Sequence, residues 1–266
     1  EATVLNQENS ILWQDLVKIS SSPGGKRPKA IVALNKGTGE VISGQGIIPE
    51  GFQHYILKYD DNSAYPFAKL EYVYYRMALD AGIEMMPSEL RTYDGVTHFL
   101  TQRFDREGNE KIHTQTLAAM LPTSDSYEDI FSVIRRLNLP YEDSRQHFLR
   151  MVFNVTTRNV DDHSKNFSFC MNKKGIWRLS PAYDLTYSVD LTAPAYSNRH
   201  SLTINGKNED ITREDLGTVG QNTDIQDYNA LIDTVYNAVA KFESHARELR
   251  IDEKLIKSIQ EDFIKV

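Results

Sequence analysis

The sequence is poor in cysteine, and Cys170 is the one cysteine among 266 residues. A single thiol excludes an intramolecular disulfide and a cysteine-based zinc cluster, and it suits a reducing compartment, so we expect a cytoplasmic protein. Long apolar runs are also missing, because none approaches the roughly 18–20 residues that cross a bilayer. The first ten residues have neither the basic start nor the apolar middle of a signal peptide.

The chain also lacks an excess of positive charge. Its 30 basic and 37 acidic residues give a formal net charge of −7. This balance argues against a nucleic-acid binder held mainly by phosphate contacts, so any contact with DNA is expected to be indirect, through a partner. The 40% of hydrophobic and 25% of charged residues are typical of a globular protein. The length allows one large domain or two lobes that share a cleft.

Local sequence patterns predict an α+β fold with a small β-rich N-lobe and a larger helical C-lobe. Strand patterns over residues 27–60 are followed by helical spacing over 64–82 and by strands around Asp94-Gly95, a strong hairpin signal. Beyond residue 105 helical patterns dominate. The predicted later elements are helices near 114–121, 126–137, 142–157, 224–243 and 252–264, a strand hairpin over 166–180, and a capping box from Thr212 to Asp215. We place the lobes at residues 1–103 and 104–266, with a hinge near 102–106.

The segment NVDDHSKNFSF, residues 159–169, contains the most informative polar residues. Asp161 and Asn166 are five positions apart, and Asp184 follows in LSPAYDL. A phosphoryl-transfer site needs a carboxylate beside the attacking hydroxyl, and a carboxylate and an amide oxygen as Mg²⁺ ligands. The D-x-x-x-x-N spacing equals that of the protein-kinase catalytic loop, although the preceding His-Arg is absent. Alone the pattern favours a helix cap or turn, but its place between an apolar helix and a hairpin favours catalysis.

Three weaker signals precede this segment. Gly24 and Gly25 could let backbone N–H groups cradle an anion, although a flexible surface turn is the simpler interpretation. Lys58 lies in an apolar strand and could pair with Glu71, which would leave it in reach of nucleotide phosphates; the alternative is a strand-edge lysine that reaches water. Backbone groups of TQRFDR, residues 101–106, could receive an adenine edge.

The order of these signals is that of a two-lobed kinase, and the chain resembles the HipA family of serine/threonine kinases, the toxin halves of bacterial toxin–antitoxin pairs. The segments that carry the resemblance are GGKRPKA, YILKY, the helix with Glu71, LTQRFDR, NVDDHSKNFSF, LSPAYDL and HSLTINGKN. They extend from about residue 20 to residue 208.

The resemblance implies ATP and Mg²⁺ as cofactors and a role for each matching residue. Asp161 would be the catalytic base, with His163 and Lys165 lining the catalytic loop and Asn166 and Asp184 binding the metal. The nucleotide would be bound by Gly24, Gly25, Lys29, Lys58, Glu71, Gln102 and Phe104.

The resemblance also implies regulation by autophosphorylation on a serine at the start of the glycine-rich loop. The matching position is Ser22, and the neighbouring Ser20 and Ser21 could substitute for it. A phosphate brings nearly two negative charges to a loop that must lie over the phosphates of ATP, so it would expel the loop.

The function that this resemblance implies is a growth-inhibiting toxin kinase whose protein substrate is an aminoacyl-tRNA synthetase. The expected partners are a HipB-like helix-turn-helix antitoxin, a small HipS-like protein, or both. The short segment before the glycine-rich loop favours a short HipT-like subtype over a trimmed chain. Two other classes stay open: a catalytically silent module that binds an antitoxin, and a small-molecule kinase of the aminoglycoside or choline type. The intact set of Lys58, Asp161, Asn166 and Asp184 favours an active enzyme over a silent one.

Overall fold

The computed structural model describes residues 28–60, 65–93, 95–190, 194 and 198–264. The chain divides into two compact units. The strand-rich unit contains the described residues up to Tyr72 together with Met86–Ile112, and the helical unit contains Val73–Met85 and the described residues from His113 onward. In these described ranges, no helix is long and apolar enough to cross a membrane. The predicted Ser20, Ser21, Ser22, Gly24 and Gly25 lie outside the described residues.

The strand-rich unit is built around a five-stranded antiparallel sheet with the strand order β2-β1-β3-β5-β4. Its strands are rich in β-branched and aromatic residues, which pack well on a pleated surface. One face buries Ala30, Val32, Leu34, Tyr55, Leu57 and Leu100 in a single apolar cluster. The strands are β1 Lys29–Asn35, β2 Val41–Ser43, β3 Phe52–Lys58, β4 Ser88–Tyr93 and β5 Val96–Gln102, and a two-stranded sheet follows, with β6 Arg106–Glu107 and β7 Glu110–Lys111.

Helix α1, Phe67–Asp80, follows the third strand. Its apolar positions recur every three or four residues, and Leu70, Val73, Tyr74 and Met77 are all fully buried. The helix ends before Gly82, whose φ of 75° lies in the left-handed region that favours glycine. The predicted helix over 64–82 is therefore present within one turn of its expected ends.

The helical unit has a core formed around one helix that is buried on nearly every side. In helix α4 the residues from Gln146 to Thr156 are all buried, so the apolar run FLRMVFNV is the centre of this unit. A three-stranded sheet of order β10-β9-β8 lies in the same unit. The elements are β8 His113–Thr116, α2 Leu117–Met120, α3 Tyr127–Arg136, α4 Tyr141–Thr156, a 3-10 turn Ser164–Asn166, β9 Ser168–Met171, β10 Trp177–Leu179, α5 Arg213–Asn222, α6 Tyr228–Val239, α7 Phe242–Glu248 and α8 Glu253–Asp262.

Two predicted helices differ from the observed elements. Residues 113–116 form strand β8, because they pair antiparallel with β9, and only Leu117–Met120 is helical. The predicted helix over 224–243 is two helices, since α6 ends at Val239 and α7 begins at Phe242. The predicted capping box is present: the Thr212 side chain accepts a hydrogen bond from the Asp215 N–H, and the Asp215 side chain accepts one from the Thr212 N–H.

Candidate functional site

The polar loop, residues 159–167, follows the buried helix α4 and holds Asp161 by its backbone. The Asp161 N–H donates to Ser188 Oγ at 3.0 Å, and the Asp161 carbonyl accepts a hydrogen bond from Asn166 Nδ2 at 2.8 Å. Its side chain is 57% exposed. No hydrogen bond to its carboxylate comes from the part of the chain that the structure describes. The loop therefore presents an exposed carboxylate from a backbone that is fixed on both sides.

Asn166 is oriented by the same contact and keeps its amide oxygen available. Its Nδ2 donates a hydrogen bond to the Asp161 carbonyl, and its backbone N–H donates to the His163 carbonyl at 2.8 Å. Because the amide nitrogen points at Asp161, Oδ1 points elsewhere, and none of the described residues donates a hydrogen bond to it. This oxygen is the hard donor that Mg²⁺ prefers.

Asp184 lines the same indentation of the helical unit as Asn166, together with Arg150 and Asp162. Its backbone adopts a φ of 54°, and its carbonyl accepts a hydrogen bond from Asn159 Nδ2 at 3.4 Å. Burial lowers the pKa of Arg150 to about 10, still high enough to keep the guanidinium charged near neutral pH. A buried cation therefore lines the same indentation as these two carboxylates.

The donor set fits magnesium better than a metal that needs an all-protein cage. Among the described residues, no group of three or more His, Cys, Asp or Glu side chains could hold a metal ion. Magnesium is usually bound by one or two carboxylates, with water and substrate phosphates completing its shell. Asp184 and the amide oxygen of Asn166 would supply the protein ligands in such an arrangement.

The other two predicted loop residues are placed differently. Lys165 is exposed, and its carbonyl accepts a hydrogen bond from the Tyr183 hydroxyl at 2.9 Å. Burial raises the pKa of Tyr183 to about 12, so this hydroxyl keeps its proton as a donor. His163 Nε2 lies 3.9 Å from Asp161 Oδ1, which is too long for a hydrogen bond. His163 therefore flanks the exposed carboxylate without being bonded to it.

In the strand-rich unit, Lys58 and Glu71 form the predicted ion pair. The Lys58 side chain is 13% exposed and that of Glu71 is 7% exposed, so the pair is largely removed from water. Lys29 lies directly opposite Lys58 in the β1–β3 register, on the same face of the sheet. These three side chains together carry two positive charges and one negative charge.

The predicted hinge residues Gln102 and Phe104 lie at the last position of strand β5 and two positions beyond it. The Gln102 N–H donates to the Pro87 carbonyl at 3.0 Å, and the Arg103 N–H donates to the His54 carbonyl at 2.9 Å. Pro87 has no N–H, so it cannot return the hydrogen bond that an antiparallel ladder would give to the Gln102 carbonyl. The Gln102 carbonyl therefore receives no hydrogen bond from Pro87. Phe104 is partly buried.

Sequence reasoning missed the buried polar residues that hold the polar loop by hydrogen bonds. Asn159 Nδ2 donates to Asn154 Oδ1 at 3.0 Å, and Asn154 Nδ2 donates to the Tyr127 hydroxyl at 2.9 Å. Asp162 is 1% exposed and accepts from the same Tyr127 hydroxyl at 2.7 Å. An asparagine within the apolar run of α4 was the available signal, because a buried amide requires partners.

Comparison with known proteins gives both a family and a fold. The model of the HipA-like C-terminal domain family matches residues 21–263. The protein named "Putative kinase Y4mE" of Sinorhizobium fredii (strain NBRC 101917 / NGR234) is 26% identical in an alignment of 204 positions that covers 66% of this chain and 47% of that protein. The chain thus matches about half the length of this curated relative.

Among solved structures, a chain of the Shewanella oneidensis MR-1 toxin–antitoxin complex of HipA, HipB and operator DNA matches with a TM-score of 0.71. The match has 17% identity and covers 98% of this chain and 70% of that chain. The Helicobacter pylori proinflammatory kinase CtkA gives a TM-score of 0.46 at 12% identity over 79% of this chain and 90% of that chain, which is too low to support an argument. The α+β fold predicted from the sequence is confirmed. Because the family model spans nearly all of the sequence, the chain belongs to the HipA-like C-terminal domain family.

Proposed function

We propose that this chain is an ATP-dependent serine/threonine protein kinase that acts as the toxin of a bacterial toxin–antitoxin system. The observation that carries the proposal is the pairing of an exposed Asp161 carboxylate with the oriented amide of Asn166 on one short loop. Phosphoryl transfer needs a base or orienter for the hydroxyl and hard oxygen ligands for the metal, and it needs little else from the protein. The alternatives of a helix cap or a turn do not require an exposed carboxylate.

Each residue of the polar loop has a distinct role in this proposal. Asp161 orients the attacking hydroxyl and accepts its proton. Asn166 and Asp184 hold Mg²⁺, which would neutralise charge on the nucleotide phosphates. Lys165 places a positive charge near the transferred phosphoryl group, and His163 lines the loop beside Asp161.

The nucleotide contacts are proposed from the strand-rich unit. Lys58, oriented by Glu71, contacts the phosphates, and Lys29 adds a second cation on the same face of the sheet. The Gln102 carbonyl, to which Pro87 cannot donate, accepts a hydrogen bond from the adenine amino group, and Phe104 contacts the adenine ring. Lys29 and Lys58 place two positive charges on the same face of the sheet, which favours an anionic ligand such as a phosphate group.

Regulation and partners follow from the family. Gly24 and Gly25 would cover the phosphates, and Ser22, with Ser20 or Ser21 as alternatives, would be the inhibitory autophosphorylation site. The protein substrate would be an aminoacyl-tRNA synthetase in the cytoplasm. A HipB-like antitoxin, a small HipS-like protein or both would bind the chain, and DNA would be reached only through the antitoxin; a HipA, HipB and operator complex among the structural matches supports this partner.

The test is incubation of the purified chain with labelled ATP and Mg²⁺, followed by peptide mapping. The parent should be labelled in the peptide that covers residues 20–22, and Asp161→Asn should abolish labelling while still binding Mg·ATP in calorimetry. Asp224→Asn is the matched control, since it removes one exposed carboxylate at a helix end of the same unit and should label like the parent. Labelling of Asp161→Asn at the parental rate would refute the assignment of the base. A parent that neither labels nor binds nucleotide would instead support the silent antitoxin-binding module.

A further inference from the structure

The two adjacent aspartates of the polar loop have opposite environments. The Asp161 side chain is 57% exposed, whereas that of Asp162 is 0% exposed. The Asp162 carboxylate accepts three hydrogen bonds: from the Tyr127 hydroxyl at 2.7 Å, from His200 Nδ1 at 2.7 Å and from the Ser201 N–H at 2.7 Å. Three short hydrogen bonds therefore satisfy this buried carboxylate.

The donors come from parts of the chain that are remote in sequence. Tyr127 opens helix α3, and His200 and Ser201 belong to the 200–204 segment, which has no regular secondary structure. That segment is itself fixed, because the Tyr127 N–H donates to the Thr203 carbonyl at 3.0 Å and the Thr203 N–H donates to the Asp125 carbonyl at 2.8 Å. Asp162 therefore connects the polar loop by hydrogen bonds to helix α3 and to the 200–204 segment. These two parts of the chain are also hydrogen-bonded to each other.

The same contacts reach the residues next to Asp161. The Ser201 hydroxyl donates to the Val160 carbonyl at 3.1 Å, directly before Asp161. On the other side, Ser188 Oγ donates to Asn159 Oδ1 at 3.3 Å and accepts from the Asp161 N–H. The side chains of Ser188 and Ser201 therefore hold the loop backbone next to Asp161.

The protonation of this cluster is dictated by its partners. Burial and the nearby charge of Asp162 raise the pKa of Tyr127 well above its ordinary value, so the hydroxyl donates to Asp162 and accepts from Asn154. His200 must carry a proton on Nδ1, because its partner is a carboxylate. His200 Nε2 is buried and has no hydrogen-bond partner among the described residues. The ring therefore has one anchoring contact, at Asp162.

We infer that Asp162 and His200 are positioning residues that fix the polar loop, so that Asp161 meets the attacking hydroxyl in a productive geometry. This rests on the proposed kinase function. Both side chains are 0% exposed and hydrogen-bonded to each other, so we expect both to act through the loop. Losing the His200 contact leaves Asp162 with two donors and frees the 200–204 segment at the point where it holds the loop.

The experiment compares His200→Ala with His245→Ala. His245 is the matched control, since it is also a buried histidine of the helical unit bonded to an aspartate, with Nε2 at 2.9 Å from Asp80 Oδ2. Small misplacements of reacting groups can cost about 10²-fold in rate, so His200→Ala should lower kcat by about that factor and leave the KM for ATP nearly unchanged. His245→Ala should keep the parental kcat. His200→Asn, which keeps a donor toward Asp162, should recover most of the loss.

Amide hydrogen exchange in the peptide covering residues 158–166 is measured on the same variants. Faster exchange in His200→Ala than in His245→Ala is expected, and equal exchange and equal kcat in the two variants would overturn the inference. If the parent transfers no phosphoryl group, the proposed function fails and the exchange comparison alone decides whether this pair fixes the loop. If His200→Ala does not fold, Tyr127→Phe, which removes one hydroxyl, must show the same selective effect for the inference to stand.

Discussion

Replacing Glu71 by leucine tests how the Lys58–Glu71 ion pair is held in the strand-rich unit. Glu71 as a residue is 6% exposed, and the Lys58 side chain keeps 13% exposure. Glu71→Leu removes the carboxylate that pairs with the Lys58 ammonium group, and Lys29 stays directly opposite Lys58. The matched variants are Lys58→Met, which removes the other charge, and the double variant, which replaces both charges by apolar groups of similar volume.

The magnitude follows from the burial of the pair. Breaking a buried ion pair by removing one partner costs about 3–5 kcal/mol, and the remaining exposure of Lys58 favours the lower end, about 3 kcal/mol. Such a loss changes the folding equilibrium by about 10²-fold. Lys58→Met should cost less, because the repulsion between the like charges of Lys29 and Lys58 on the sheet is relieved. The double variant should be about as stable as the parent, because apolar replacement of a buried pair is often neutral or stabilising.

The assay is urea unfolding of the four proteins, with the midpoint compared at unchanged slope. Nucleotide binding is measured on the same samples, and the double variant should regain stability without regaining ATP affinity. This separates the structural contribution of the pair from its proposed contact with phosphate. Additive losses in the double variant, or a loss below about 1 kcal/mol for Glu71→Leu, would refute the reasoning, because that size is typical of an exposed pair.

Two further predictions concern the helical unit. Asp184→Ala should weaken Mg·ATP binding while ADP without metal binds as before, and an unchanged Mg·ATP affinity in calorimetry would reject Asp184 as a metal ligand. Burial lowers the pKa of His147 from 6.5 to about 3, so below pH 6.5 the unfolded chain takes up a proton that the folded chain refuses. The free energy of unfolding should therefore fall by about 1.4 kcal/mol per pH unit between about pH 6.5 and 3, relative to His147→Gln, in urea titrations at each pH. Parallel pH profiles of the two proteins would contradict this.

Local patterns were sufficient where an element depends on its own sequence. The apolar spacing of Phe67–Asp80 predicts a helix, and Thr212 with Asp215 predicts a capping box, because both are decided within a few residues. Residues 113–116 could not be predicted in this way. They form a strand because β9, more than fifty residues later, pairs with them.

In the candidate site, too, contacts that depend on nearby sequence could be predicted, and contacts that depend on distant segments could not. The pairing of Lys58 with Glu71 could be predicted, since a lysine in an apolar strand needs a partner and the next helix offers one. The loop contacts of Asn159 and Ser188 could not, because each depends on a segment that reaches the loop only after folding.

The sequence by itself determined the family, through the motifs that resemble it, and the α+β class, through the periodicity of its apolar residues. It also supplied the candidate residues of the proposed phosphoryl-transfer site. Only the tertiary structure showed how differently the two adjacent aspartates are surrounded. Asp161 and Asp162 have the same side chain, and their difference arises from Tyr127, His200 and Ser201, which bury and bond one carboxylate and leave the other in water. Hydrogen bonds between residues far apart in sequence carry no local pattern, so folding alone brings them together.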